Sequence, residues 1–188
     1  MSARVSQAQR VTAVESALTP LHYAMLGLLR DQPAHGYQLQ HAFGVGGDLN
    51  AIVPVEQPTL YAALKELARR RLIEGREARE GLRPPKVVYA LTADGRRALI
   101  EWLREPVARM RQVRLDFLLK VYFNRARGKQ RVRALVEAQI GACNRYLADL
   151  QAGAAALDRE SFAYLVSESR ASAARSTLAW LNEYRASL

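Results

Sequence analysis

Basic side chains are concentrated in the middle of the 188-residue chain, where they could pair with the phosphates or carboxylates of an acidic partner. Residues 56–97 hold 10 Lys and Arg against 6 Asp and Glu, and residues 104–133 hold 10 against 2. The whole chain carries a formal charge of +10. Clustered positive charge is typical of proteins that bind polyanions, but solvated basic helices are also common. The charge alone therefore leaves nucleic-acid binding and a solvated surface equally open.

Side chains that could perform catalysis or hold a metal ion lack the spacing that such chemistry requires. His22, His35 and His41 are not paired with cysteines or carboxylates at metal-ligand intervals. The sequence contains neither a G-x-S-x-G nor a G-x-x-x-x-G-K-[ST] motif, and Glu77 and Glu80 make a poor acid–base pair. We expect no enzyme activity, no cofactor and no metal site.

Composition indicates a globular chain in a reducing compartment. The single cysteine, Cys143, cannot form an internal disulfide, and the residues are 49% hydrophobic and 24% charged. No stretch approaches the ~18 uncharged apolar residues of a membrane span, and residues 1–20 contain no continuous apolar core of signal-peptide length. We expect a cytoplasmic protein with no membrane partner.

Three helices are predicted in the first 73 residues. The first has Thr19 as its N-cap and Pro20 at its first position, and the second places Leu39 and Phe43 on one side. A loop is expected from the Gly44–Gly47 cluster to Pro54. The third helix runs over EQPTLYAALKELARRRLI, with three leucines at i, i+4 and i+7 on one face. The other faces carry Thr59, Tyr61, Lys65 and Arg69.

A β-hairpin and a further helix are predicted next. Lys86–Leu91 alternates as a strand does, and Gly81–Pro85 suits the tip of a hairpin that begins near Leu72. Thr92 then starts a helix that ends near Pro106. This order predicts a mainly α protein, a winged helix-turn-helix with a small β-hairpin wing, followed by an α-helical C-terminal dimerisation domain.

A winged helix-turn-helix places its third helix in the major groove of duplex DNA and its hairpin tip on the adjacent backbone or in the minor groove, where Arg83 and Lys86 could pair with phosphate. Tyr61 and Lys65 lie one turn apart opposite the leucines and could contact DNA or form a solvated face, and Thr59 could contact DNA or cap its helix. Gln38 could donate to phosphate or be an ordinary exposed glutamine, and Tyr37 is assigned to the core. The full set of candidate DNA-binding residues is Gln38, Thr59, Tyr61, Lys65, Arg69, Arg83 and Lys86.

Four motifs together resemble the PadR family of bacterial transcriptional regulators. They are His35-Gly36-Tyr37, Thr59-Leu60-Tyr61-x-x-Leu64, Arg83-Pro84-Pro85-Lys86 with Tyr89, and Leu91-Thr92-x-x-Gly95. The block from Arg114 to Phe123 is similar to the start of the dimerisation domain in longer members. The resemblance implies a homodimeric DNA binder, usually a repressor, whose operator affinity a small molecule or other signal alters. Pro58 and Arg71 stand where the family usually has glycine.

The C-terminal half is predicted to be helical, with two heptad seams. One comprises Val136, Ile140, Cys143, Leu147, Leu150, Ala154 and Leu157, and the other Phe162, Val166, Ser169, Ala173, Ser176 and Trp180. Small residues in these seams leave little apolar surface for the two helices to bury against each other, which favours an intermolecular bundle. The basic cluster at 104–133 is interpreted as a mostly solvated face. The predicted divisions are an arm at 1–18, a DNA-binding domain at 19–104 and a dimerisation domain at 105–188.

The function expected from these patterns is a PadR-like regulator, a repressor that binds a palindromic operator as a homodimer. A small organic effector would release it, and Trp102, Tyr122, Phe123 and Trp180 are candidates to line its pocket, although such residues more often form core. The alternative is a winged-helix module for ligand or protein binding without sequence-specific DNA recognition.

Overall fold

The computed structural model describes residues 17–44, 46–78 and 86–188. The elements in chain order are α1 (Pro20–Leu28), β1 (Ala34–His35), α2 (Gly36–Ala42), α3 (Asp48–Ile52), α4 (Gln57–Arg69), β2 (Ile73–Ala78), β3 (Lys86–Leu91), α5 (Ala93–Arg104), α6 (Leu118–Arg125), α7 (Lys129–Ala154) and α8 (Phe162–Ala186). A 3₁₀ turn, Met110–Gln112, and a π-helical turn, Val113–Phe117, precede α6. The predicted arm at 1–18 lies outside the described residues except for its last two. The predicted domain boundaries stay predictions.

Helix α1 begins where its capping residues require. The Thr19 hydroxyl accepts a hydrogen bond from the His22 backbone N–H at 3.4 Å, and His22 Nδ1 accepts from the Thr19 N–H at 3.0 Å. Pro20 occupies the first turn, where a missing N–H costs nothing. The predicted N-cap is confirmed, and the helix buries Ala24, Met25 and Leu26.

The hairpin is confirmed, with an additional strand beside it. Strands β2 and β3 pair antiparallel from Ile73 opposite Leu91 to Ala78 opposite Lys86. The two-residue strand β1 pairs with the other edge of β3 and gives the sheet order β1-β3-β2. Because β1 leads directly into α2, this pairing fixes the start of α2 against the wing.

The prediction of an irregular loop between Gly47 and Pro54 is wrong in one respect, since the segment contains the short helix α3. Asp48 lies in its first turn, where the positive end of the helix dipole stabilises a carboxylate. Leu49 is 1% exposed and joins the core. Five residues are too few to give a helical period that a sequence pattern can detect.

The observed architecture is the expected one, a mainly α winged helix-turn-helix followed by a helical region. The first core lies between α1, α2, α4 and α5 and includes two residues of α6, Leu119 and Phe123. A second core joins the 107–121 segment to α7 and α8. Helix α6 therefore contributes to both cores.

Helices α7 and α8 form an antiparallel pair, because the start of α7 lies beside the end of α8. The Lys129 ammonium is 3.4 Å from the carbonyl oxygen of Leu188. Val136, Cys143 and Leu147 of the α7 seam pack inward within the single chain, whereas the thin seams had favoured an intermolecular bundle. The α8 residues that face α7 are different from the predicted seam and include Ala171, Ala174, Leu178 and Leu181.

The predicted α8 seam is largely exposed in the single chain, with Phe162 78% and Trp180 39% accessible. Packing of this seam against a partner stays a prediction. In the part of the chain that the structure describes, no helix combines the length and apolarity needed to cross a bilayer.

Candidate nucleic-acid interface

Helix α4 has one buried face and one exposed polar face. Leu60, Leu64 and Leu67 are fully buried against the first core. Tyr61 and Lys65, one turn apart, lie on the exposed side. The leucine spacing therefore fixes the direction in which the polar side chains project.

The structure removes one alternative for Thr59. Helix α4 begins at Gln57 with Glu56 as its N-cap, so Thr59 is the third helical residue and does not cap the helix. Its side chain is exposed. Pro58 lies in the first turn, where it displaces no intrahelical hydrogen bond.

Arg69 is already engaged by its own helix. Its guanidinium donates two hydrogen bonds of 2.8 Å to Glu66, and Arg70 Nε donates to the same carboxylate at 2.6 Å. Hydrogen bonds from Arg69 and Arg70 lower the pKa of Glu66 to about 2. A phosphate contact by Arg69 would have to share the guanidinium with Glu66.

The assignment of Tyr37 to the core is wrong, because its side chain is 73% exposed. It lies at the start of α2 beside Tyr61, and both line a shallow cleft of about 280 Å³ with Lys86 and Val87. The missing side chain of Gly36 makes this approach possible, since a Cβ there would be 2.8 Å from Tyr61 Cε1. The structure thus brings α2, α4 and β3 together at one surface.

The side chain of Gln38 is exposed and also forms a hydrogen bond within the protein. Its Oε1 accepts a hydrogen bond of 2.8 Å from the His35 backbone N–H at the start of α2. The amide nitrogen projects from the same side chain and remains suited to donate to a phosphate. Lys86 is exposed at the start of β3, whereas Arg83 lies outside the described residues.

The four predicted effector residues do not share one set of contacts. Trp102 stacks on Tyr23 with ring centroids 4.3 Å apart, and the Lys120 ammonium lies 4.8 Å from the Trp102 centroid. Trp180 stacks on Tyr184 in α8 and meets Phe117 edge-on. These two tryptophans therefore lie in different packing environments.

Tyr122 and Phe123 do lie together, with their rings edge-to-face at 5.0 Å. Both line a cleft of about 380 Å³ between α1, α3 and α6. Phe123 is 5% exposed and fills the space beside Gly27, where a Cβ would be 2.4 Å from its ring. Phe123 is thus core as well as cleft wall.

The prediction that the basic cluster at 104–133 forms a mostly solvated face is wrong for Lys120. The residue is 3% exposed, and its ammonium donates a 2.6 Å hydrogen bond to the Glu105 carbonyl oxygen. Burial lowers the pKa of Lys120 to about 8, and burial also raises the pKa of the neighbouring Asp116 carboxyl. No local sequence pattern indicates this position, because Lys120 is held by Trp102 and Glu105, which lie outside α6.

Comparisons with known proteins agree along most of the chain. Residues 25–101 match the transcriptional regulator PadR-like family, and residues 113–188 match the virulence activator alpha C-terminal family. The negative transcriptional regulator PadR of Bacillus subtilis (strain 168) is 30% identical over 131 residues, which cover 70% of this chain and 71% of that protein.

Solved structures of the Bacillus subtilis protein are also similar to the chain. PadR in complex with operator DNA is 27% identical with a TM-score of 0.46, over 89% of this chain and 98% of that one. PadR in complex with p-coumaric acid is 27% identical with a TM-score of 0.43, over the same shares.

Proposed function

Because the chain belongs to the PadR-like family of transcriptional regulators, we propose that it represses transcription by binding a palindromic DNA operator as a homodimer. The family consists of regulators, which are not enzymes. The curated relative at 30% identity is named as a negative regulator, which supports repression rather than activation.

The observation that carries the proposal is the polar face of α4 beside the wing. Tyr61 and Lys65 project from the side opposite the buried leucines, and Tyr37 and Lys86 line a cleft with Tyr61 from α2 and β3. A helix of this kind fits the major groove, where its side chains reach base edges, while a basic residue on the wing pairs with phosphate. Gln38, Thr59, Arg69 and Arg83 complete the proposed contact set.

The proposed homodimer rests on the exposed apolar residues of α8. Phe162, Leu165 and Trp180 are 78%, 62% and 39% accessible, although apolar side chains of this size gain about 1.5–3 kcal/mol each on burial. A second copy of α8 would cover them. Dimerisation would also present two α4 helices, which a palindromic operator requires.

An effector site is proposed at the cleft that Tyr122 and Phe123 line, since this cleft contacts both α1 and α6. A ligand wedged there would change how the DNA-binding region sits on the helical region. Trp102 and Trp180 act in this proposal only through packing.

The test compares two lysines on operator DNA and on random DNA. Operators selected from a random pool should be palindromes with half-sites about 34–36 Å apart. Lys65→Ala should weaken operator binding more than random binding, because it removes a base-reading side chain. Lys86→Ala should weaken both and reduce the salt slope by about 1, as loss of one phosphate contact does.

Lys129→Ala is the matched control, since it removes one exposed lysine far from α4 in the chain. It should leave the operator preference unchanged. Equal losses on operator and random DNA for Lys65→Ala would contradict base reading by α4. Absence of any gel shift at low salt with the chain's own upstream DNA would favour the module without specific DNA binding.

A further inference from the structure

A cleft of about 590 Å³ lies in the helical region and shares no lining residue with the set proposed to contact DNA. The segment before α6 forms one wall, and the middle parts of α7 and α8 form the other. The side chains that define it are Arg109, Arg111, Arg114, Arg170, Tyr146 and Met110. None of the described residues that line it is acidic. The volume falls within the roughly 300–1,000 Å³ of small-molecule sites.

The four arginines of this cleft have no protein partner among the described residues. None of them forms an ion pair or a side-chain hydrogen bond there. Like charges gathered around one concave surface raise its positive potential, and a bound anion lowers that potential. The same arginines belong to the basic stretch that the DNA-binding face does not use, apart from Arg170 on α8.

The arginine-bearing segment is held in place from both ends. At one end Gln139, which is fully buried, accepts from the Val107 N–H at 2.6 Å and donates to the Val107 carbonyl at 3.0 Å. At the other end Val113 is 1% exposed in the second core. Between them Met110 Sδ lies 3.3 Å from the buried Cys143 sulfur. The cleft wall is therefore anchored before any ligand arrives.

The lining selects a ligand with several negative charges and a flat apolar part. Each guanidinium presents a planar fork that matches phosphate oxygens, and a single carboxylate would offset only one of the four charges. The Tyr146 ring and the Met110 thioether supply an apolar surface on which a planar ring can lie. We propose that this cleft binds an organic polyphosphate of the nucleoside triphosphate type, with its phosphates on the arginines and its ring against Tyr146.

The experiment measures ATP binding to the full-length protein by calorimetry in Mg²⁺-free buffer at about 0.15 M salt, where exposed charges are screened beyond about 8 Å. ATP should bind more tightly than tripolyphosphate, which has no ring, and adenosine should not bind measurably. Arg170→Gln should weaken ATP binding at least about tenfold, because it removes a charge-assisted hydrogen bond. Its matched control is Arg185→Gln, which removes one charge from the same helix outside the cleft.

The controls separate this site from the DNA-binding face. Arg170→Gln should keep the operator affinity, and Lys65→Ala should keep the ATP affinity, so either proposal can fail without the other. An equal loss for Arg170→Gln and Arg185→Gln would overturn the cleft, since it would indicate diffuse attraction to a basic surface. Loss of DNA binding in Arg170→Gln would also overturn it and assign the arginines to the duplex.

Two further outcomes would contradict the proposal. Equal affinities for ATP and tripolyphosphate would show that the ring of ATP adds nothing to binding. The proposed contact with Tyr146, and with it the preference for an organic polyphosphate, would then be wrong. A change of oligomeric state in Arg170→Gln, without ATP binding to the unaltered protein, would mean that a second copy of the chain fills the cleft.

Discussion

Arg71 adopts the left-handed backbone region, with φ of 57°, immediately after α4. Its N–H donates to the Ala68 carbonyl at 2.9 Å, and the Leu72 N–H donates to the Leu67 carbonyl at 3.0 Å. These two bonds form a Schellman motif, which usually places glycine at this position. The chain therefore leaves α4 sharply through a strained arginine, at a position where the family usually has glycine.

Arg71→Gly should raise the free energy of unfolding by about 0.5–1 kcal/mol. Relief of the left-handed strain, about 1–2 kcal/mol, exceeds the extra entropy that glycine gives the unfolded chain. Urea denaturation measures the change. Arg71→Ala is the control, because alanine keeps the strain, and an equal gain with alanine would contradict this explanation.

Lys120 should make stability depend on pH above neutrality. Burial lowers its pKa from 10.5 to about 8, so between these values the unfolded chain binds the proton more tightly than the folded chain. The free energy of unfolding should therefore rise as pH increases from about 8 toward 10.5, by at most about 1.4 kcal/mol per unit.

The comparison with Lys120→Met isolates this contribution, since other groups titrate alike in both proteins. Urea denaturation at several pH values across the window should show the difference between the two proteins growing with pH in favour of Lys120. A constant difference would mean that the lysine keeps its ordinary pKa in the folded protein.

Element by element, the sequence was most informative where large apolar residues repeat. The leucines of α4 define its buried face, and the direction of Tyr61 and Lys65 follows from them. Tyr37 could not be assigned in the same way, because a seven-residue helix gives too few turns to define a face. The burial of Lys120 depends on contacts with the distant Trp102 and Glu105, which no local pattern contains.

Helix α8 was the hardest element to orient because alanine and serine occur on both its faces. The inner face carries Ala171 and Ala174, which are buried, while the predicted seam carries Ala173 and Ser176, which are exposed. Leu181, which is fully buried, settles the orientation only once α7 lies beside it. A heptad pattern made mostly of small residues therefore does not show which face of the helix is buried.

The close approach of α7 and α8 predicts that Ala171→Leu destabilises the protein by about 1–3 kcal/mol. Ala171 is 2% exposed in the same cluster as Leu147, so three added carbons would force the helices apart. Thermal and urea unfolding measure the loss. Ala179→Leu, on the exposed side of α8, should be nearly neutral, and a similar loss there would contradict this packing.

At the scale of the whole molecule, the proposed homodimer predicts that Phe162→Asp weakens self-association at least about tenfold. The aromatic ring is 78% exposed in the single chain, and a carboxylate in its place would have to be desolvated at the interface. Sedimentation equilibrium measures the dissociation constant. Ala179→Asp is the charge-matched control, and equal weakening by both variants would argue against the predicted seam.

Helix α6 belongs to both halves of the molecule. Leu119 and Phe123 pack in the first core, while Val121 packs in the second with Val132 and Val136. If either half unfolded, this eight-residue helix would lose the packing contacts on one of its sides. The two halves should therefore unfold as one cooperative unit. In the proposed homodimer, a small tilt of α6 would shift the first core, and with it α4, relative to the helical region.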